Sequence, residues 1–276
     1  MTTAVASAVA SVSPARARAP RLALIRAEFL KLRRRRALLA VVSALTVVPM
    51  LIGYTVTSIL HANDPVKHPS AGGMDNFAGS VEMLAALAAV AAVIVGVTAG
   101  AGDVSAGVFR TLVVTGRSRI RLYAARIPGG LALLLRFTVV GFGVAAVASI
   151  VLAGSAPQPD ADLVVRSGAW IILQVAVAFA LGLGVGSLFG SRGMSIGVLL
   201  GWLFALEPLL LAFGVLGSLR AGLLGAAVGR LEPASLFTDG GGPAVAMSAG
   251  TAGLVVALWA LVPLAIGAWR TATRDA

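Results

Sequence analysis

Cysteine is absent from the 276 residues, which excludes a disulfide framework and any thiolate metal site. Charge is scarce as well. Charged residues make up 12% of the chain, about half of the roughly 25% usual in soluble domains. Histidine occurs twice, as His61 and His68, seven residues apart in one polar connection, and we read both as solvated loop residues rather than metal ligands. The acids are scattered over loops, so neither a Ser-His-Asp arrangement nor a pair of catalytic carboxylates can be assembled. A G-x-x-x-x-G-K-[ST] loop, whose amides would cradle phosphates, is also missing. The glycine string GLGVGSLFG, Gly182 to Gly190, lies in an apolar run with no strand before it. Together with Gly193, Gly197 and Gly201 its spacing suits close helix packing instead.

What the chain has in abundance is apolar length: 58% of its residues are hydrophobic and its mean hydropathy is +0.96. About 20 apolar residues cross a hydrocarbon core of roughly 30 Å, and six segments qualify. They run over about 37–60, 81–102, 131–154, 168–189, 194–216 and 247–269. The period-2 alternation of a membrane barrel is missing, and lipid offers no backbone partners, so each span is helical. The fold class read from the sequence is all-α: a polytopic membrane protein with six transmembrane helices. Pro263 is placed to bend the last span.

The formal net charge is +11, distributed in short runs between the spans rather than along one face of a soluble domain. One alternate set of connections holds seventeen of the Lys and Arg residues, the other holds Lys67, Arg166, Arg220 and Arg230, and Arg136 falls within a span. Basic residues are retained on the cytoplasmic side, so both termini are expected there. Residues 1–20, rich in Ala, Ser and Val and ending in Pro14, Arg16, Arg18 and Pro20, read as a disordered cytoplasmic tail before a permease-sized unit over 21–276. Their order of charge and apolar residues is the reverse of a secretory signal. From Leu22 to Arg36, Leu22, Ile25, Phe29 and Leu32 recur at helical spacing beside a basic face, the pattern of an amphipathic helix lying in the interface. Positive charge that merely anchors the first span accounts for the same residues.

The second basic connection, GDVSAGVFRTLVVTGRSRIRLYAARIPGG from Gly102 to Gly130, interleaves Val108, Leu112, Val113, Ile120 and Leu122 with Arg110, Arg117, Arg119, Arg121 and Arg126, and Asp103 and Ser105 are placed to cap a short helix. Such a helix can dock in a partner's groove. Arginines that only set topology are the plainer reading. The stretch resembles the loop after the second helix of type-2 ABC permeases, the drug, polysaccharide and lipid exporter superfamily. Asp103 matches that loop's acid, Gly107 its glycine, Arg110 its basic position, Thr111 and Leu112 the following segment, and Ser118 with Arg119 its end; Val108 stands where Thr is expected, and Thr115 with Gly116 where Pro is common. LIRAEFLKLRRRRALL is similar to the family's basic connecting helix, and GSLRAGLLGAAVGRLEPASLF, Gly217 to Phe237, is too short to cross and resembles its re-entrant outer hairpin.

The resemblance implies a bacterial plasma-membrane permease, paired with itself or with a similar subunit, exporting a hydrophobic small molecule, drug or lipid. It implies no catalysis and no cofactor in this chain. ATP and Mg²⁺ would be held by a separate ABC ATPase, two copies per complex, coupled through Asp103, Gly107, Arg110, Arg117 and Arg119. A secondary transporter would need paired broken helices and several intramembrane charges, for which only Arg136 and Glu207 are candidates. An intramembrane enzyme or an assembly subunit would need a catalytic cluster or a cytosolic domain. Glu207 followed by Pro208 is the remaining site of interest, about 20 Å into the fifth span. An unpaired charge at that depth costs at least about 2.5 kcal/mol, so Glu207 requires a partner or a wet cavity and is a candidate gate or cargo contact.

Overall fold

The structure, a computed structural model, describes residues 21–105, 118–234, 236 and 245–273. Among these, ordered structure is helical throughout. The helices are α1 (Arg21–Arg33), α2 (Arg36–Thr46), α3 (Val48–Asn63), α4 (Met74–Ser105), α5 (Arg119–Val151), α6 (Ala161–Phe189), α7 (Arg192–Gly201), α8 (Glu207–Ala212), α9 (Leu224–Arg230) and α10 (Ala249–Thr273). A wide π turn, Trp202–Leu206, joins α7 to α8, and tight 3-10 turns over Gly214–Gly222 precede α9. Six helical stretches are long and apolar enough to cross a membrane: Arg36–Asn63, Met74–Gly102, Arg119–Val151, Ala161–Phe189, Arg192–Ala212 and Ala249–Thr273. The residues expected to form the disordered tail, 1–20, lie outside the described residues.

Successive spans alternate in direction, so the bundle has two ends. At one, here called the basic end, Arg119 of α5 donates to the Ala272 carbonyl of α10 (3.2 Å) and Arg192 of α7 donates to the Gly102 carbonyl of α4 (3.4 Å). At the other, the amides of Gly72 and Met74 bond to the carbonyls of Leu152 and Pro157, strapping the loop before α4 onto the loop after α5.

The core is the α4–α6 pair, which is the most buried of the spans. The backbones nearly touch because glycine faces glycine. A Cβ on Gly96 would lie 2.4 Å from the Phe179 carbonyl oxygen, and one on Gly182 would lie 2.7 Å from that of Val93. The small-residue spacing of the fourth span therefore does pack a helix, with Gly96 and Gly100 of α4 as its counterpart. The reading does not extend to α7. Gly193, Gly197 and Gly201 have nothing within 4 Å of an added Cβ, and Gly190 instead ends α6 in the left-handed conformation (φ 71°). α10 joins the core where Gly184 meets the Pro263 carbonyl, so Pro263 marks a helix-helix contact.

Several boundaries differ from the sequence reading. The third span begins at Arg119 rather than near 131, because Leu122, Arg126, Gly129, Gly130 and Leu133 share one helical face that is buried against the core. α4 continues through Ser105, so Asp103 and Ser105 belong to its last described turn, and the short helix expected after them falls outside the described residues. The fifth span ends at Ala212 rather than 216. His61 is the basic residue of α3's last turn, its Nδ1 2.8 Å from the His68 carbonyl oxygen. α1 is helical with Leu32 buried, Ile25 and Phe29 half-buried and Leu22 exposed. It lies on α5, where Gly129 leaves room for the Ile25 carbonyl and the Arg136 guanidinium sits 4.6 Å from the centre of the Phe29 ring.

Candidate functional site

Two places carry chemistry out of proportion to an apolar bundle: the basic end around the last turns of α4, and the fifth span at Glu207.

At the basic end, the aligned peptides of α4 leave partial negative charge. Arginines gather around it. Arg126, 2% exposed, donates from Nη1 to the Gly100 carbonyl (3.2 Å), and Arg192 donates to that of Gly102. An added Cβ on Gly102 would sit 3.5 Å from an Arg192 nitrogen and 3.6 Å from one of Arg35. Three guanidinium groups, from the link before α2, from α5 and from α7, thus surround one helix end. One turn earlier on α5, Tyr123 donates its hydroxyl to the Leu264 carbonyl (3.1 Å), tying α5 to α10.

The sequence reading placed Arg126 among the loop cations and did not single out Arg35, Arg192 or Tyr123. The available signal was spacing, since Arg126 stands four residues after Leu122 and four before Gly130. Of the residues expected to contact an ATPase, Arg119 lies at the start of α5 and Asp103 in the last turn of α4. Gly107, Arg110 and Arg117 lie outside the described residues, in the stretch of sequence that follows Ser105.

In the fifth span, Glu207 is 2% exposed and its Oε1 accepts the Gly225 amide (2.7 Å) at the start of α9. Pro208 explains the geometry before it. With no amide, Pro208 cannot bond the carbonyl one turn back, and the helix widens so that the Glu207 amide reaches Trp202, five residues earlier. The same region is tied by Trp259 Nε1 donating to the Gly222 carbonyl (2.9 Å), Trp170 Nε1 to that of Val228 (3.0 Å) and Arg230 Nε to that of Met247 (3.0 Å). Glu207 thus clamps the short helices onto the fifth span. Glu207→Gln keeps an acceptor oxygen and is expected to leave thermal stability near that of the native protein. Glu207→Leu strands a buried amide at a cost of about 1–3 kcal/mol and should lower the unfolding midpoint measured in detergent.

Glu232, just past α9, is half-buried, and burial together with the Glu82 carboxylate pushes it up to about 7. A carboxyl that holds its proton more tightly when folded contributes stability fully below its unfolded value of about 4.3, and loses that contribution as pH rises through 7. Glu232→Gln should therefore raise the unfolding midpoint at pH 8 and change it little at pH 5.

A matching family model, that of the ABC-2 family transporter proteins, covers residues 24–205, from within α1 to partway along the fifth span. The chain belongs to this family, as a multi-pass membrane protein of ABC transporter permease type. Among curated proteins, none matches the chain.

Proposed function

We propose that the chain is the membrane-spanning permease of an ATP-driven exporter, working as a pair with itself or a similar subunit and driven by a separate ABC ATPase docked on the basic end. The observation that supports this most directly is the arginine-ringed terminus of α4, which leads straight into the loop carrying Gly107, Arg110 and Arg117. A push on that loop acts on α4, and α4 is locked to α6 by backbone contact, so the pair moves as one body. An ATPase can drive such a movement only by binding two arrangements of the permease unequally, and the loop is where that difference would be felt. Within this reading both termini are cytoplasmic, α1 lies along the inner membrane surface, and the 3-10 turns with α9 form an outer hairpin.

The test combines orientation and coupling. Single cysteines in this Cys-free chain should label from outside at Ser70, Ser155 and Ser248, and only after permeabilisation at Ser105 and Ser191. Charge reversal at Arg110 or Arg119, or Gly107→Val, should separate ATP hydrolysis from export while the permease still inserts. Outside labelling at Ser105, or normal export by all three loop variants, contradicts the proposal.

A further inference from the structure

We propose that the cleft between α3 and α4, at the end opposite the basic face, binds an amphiphilic organic cation, with its ammonium at Asp75 and its apolar body directed toward Met50 and Met83. The cavity measures about 210 Å³, and α3 and α4 line it antiparallel, each over nine residues, a length of about 12 Å along the helices. Its chemistry changes along that length. Asp75, Asn76 and Thr57 stand at one end, Tyr54 and Ser80 in the middle, and Pro49, Met50 and Met83 at the other. That gradient suits a molecule with a polar head and an apolar tail. Among the described residues, Asp75 is the one carboxylic acid in the lining and no basic residue accompanies it, so the head it favours is positive. It stands in the first turn of α4 and is exposed to an incoming ligand.

The walls are preformed. The Tyr54 hydroxyl lies 2.5 Å from Ser149 Oγ and accepts from Ser80 Oγ at 3.0 Å, which fixes an aromatic side chain in the lining, a favourable neighbour for a cation. Asn76 is held by bonds from its side-chain amide to the Ser70 and Gly72 carbonyls, both 3.0 Å. Two lining positions are bare: a Cβ on Gly53 or Gly79 would meet nothing within 4 Å. They keep the space open and are not forced by packing. Use of the cleft as a cargo site rests on the exporter reading, whereas binding to it does not, so binding is measured on the permease without an ATPase.

The probe is radiolabelled dodecyltrimethylammonium, dialysed to equilibrium against the purified chain in dodecyl maltoside, with uncharged dodecanol as its comparison. Saturable binding of the cation is expected. Asp75→Asn should weaken it about tenfold while leaving dodecanol unaffected. Gly79→Leu should remove saturable binding of both probes with the unfolding midpoint unchanged. Competition by added phosphatidylethanolamine would identify a lipid ammonium as the source of the ligand, and failure of that lipid to compete would point to a free cation; either supports the site. Absence of saturable binding to the folded native chain, or native affinity in both variants, overturns the proposal.

Discussion

Gly96→Leu is expected to abolish the folded permease. The Cβ alone would fall 2.4 Å from the Phe179 carbonyl oxygen, and the obstructing atom belongs to the backbone of α6, so no side chain can rotate away. α4 and α6 would have to separate along a crossing that also includes Gly100 against the Leu183 carbonyl and Gly186 against Val97. Overpacking against movable side chains costs about 1–3 kcal/mol, and against fixed backbone the cost rises into the range of a whole domain's stability of roughly 5–15 kcal/mol. Gly143→Leu is the comparison, since an added Cβ there meets nothing within 4 Å. Size-exclusion profiles of the two variants in detergent should show aggregate for Gly96→Leu and a native peak for Gly143→Leu. A native peak for both would mean that the glycine crossing does not hold the bundle together.

Replacing Arg126 with Met should loosen the end of α4 and, with it, the loop that follows. The guanidinium is buried and donates to the Gly100 carbonyl, and charge-assisted bonds of this kind contribute about 1.5–3 kcal/mol. Lys should not restore it, because an ammonium is a compact point charge without the planar fork of the native side chain. Hydrogen exchange of the amides from Thr98 to Ser105 reports the effect locally. Arg126→Met and Arg126→Lys are both expected to speed exchange there and leave α3 unchanged. Equal exchange in all three proteins would remove Arg126 from the account of the basic end.

The two glycine rows differ in what the sequence could reveal about them. Hydropathy located all six spans, because about 20 apolar residues in a row leave little else to be. It missed the start of α5, because Arg119, Arg121 and Arg126 lowered the local average below that of a span even though the buried face from Leu122 to Leu133 was already periodic. The spacing of Gly182 and Gly186 and that of Gly197 and Gly201 are alike on paper. Only the first pair meets another helix of the same chain, since spacing says that a close approach is allowed and not what approaches. Glu207 was recognisable as needing a partner from the cost of a charge in a span, but the partner, a backbone amide eighteen residues later, depends on the chain doubling back through Gly217 (φ 49°). The arginines around Gly102 come from three separate segments, and no local pattern announces their meeting.

The central claim is that the loop after α4 couples this permease to an ATPase. It is tested most directly by cross-linking from a single cysteine placed at Arg110 or Arg117 in the complex purified from its native host. The account predicts that this cysteine cross-links to a nucleotide-binding subunit, and that export in proteoliposomes requires ATP hydrolysis by that subunit. Export driven by an ion gradient in the purified permease alone, with no nucleotide-binding subunit captured, would contradict it.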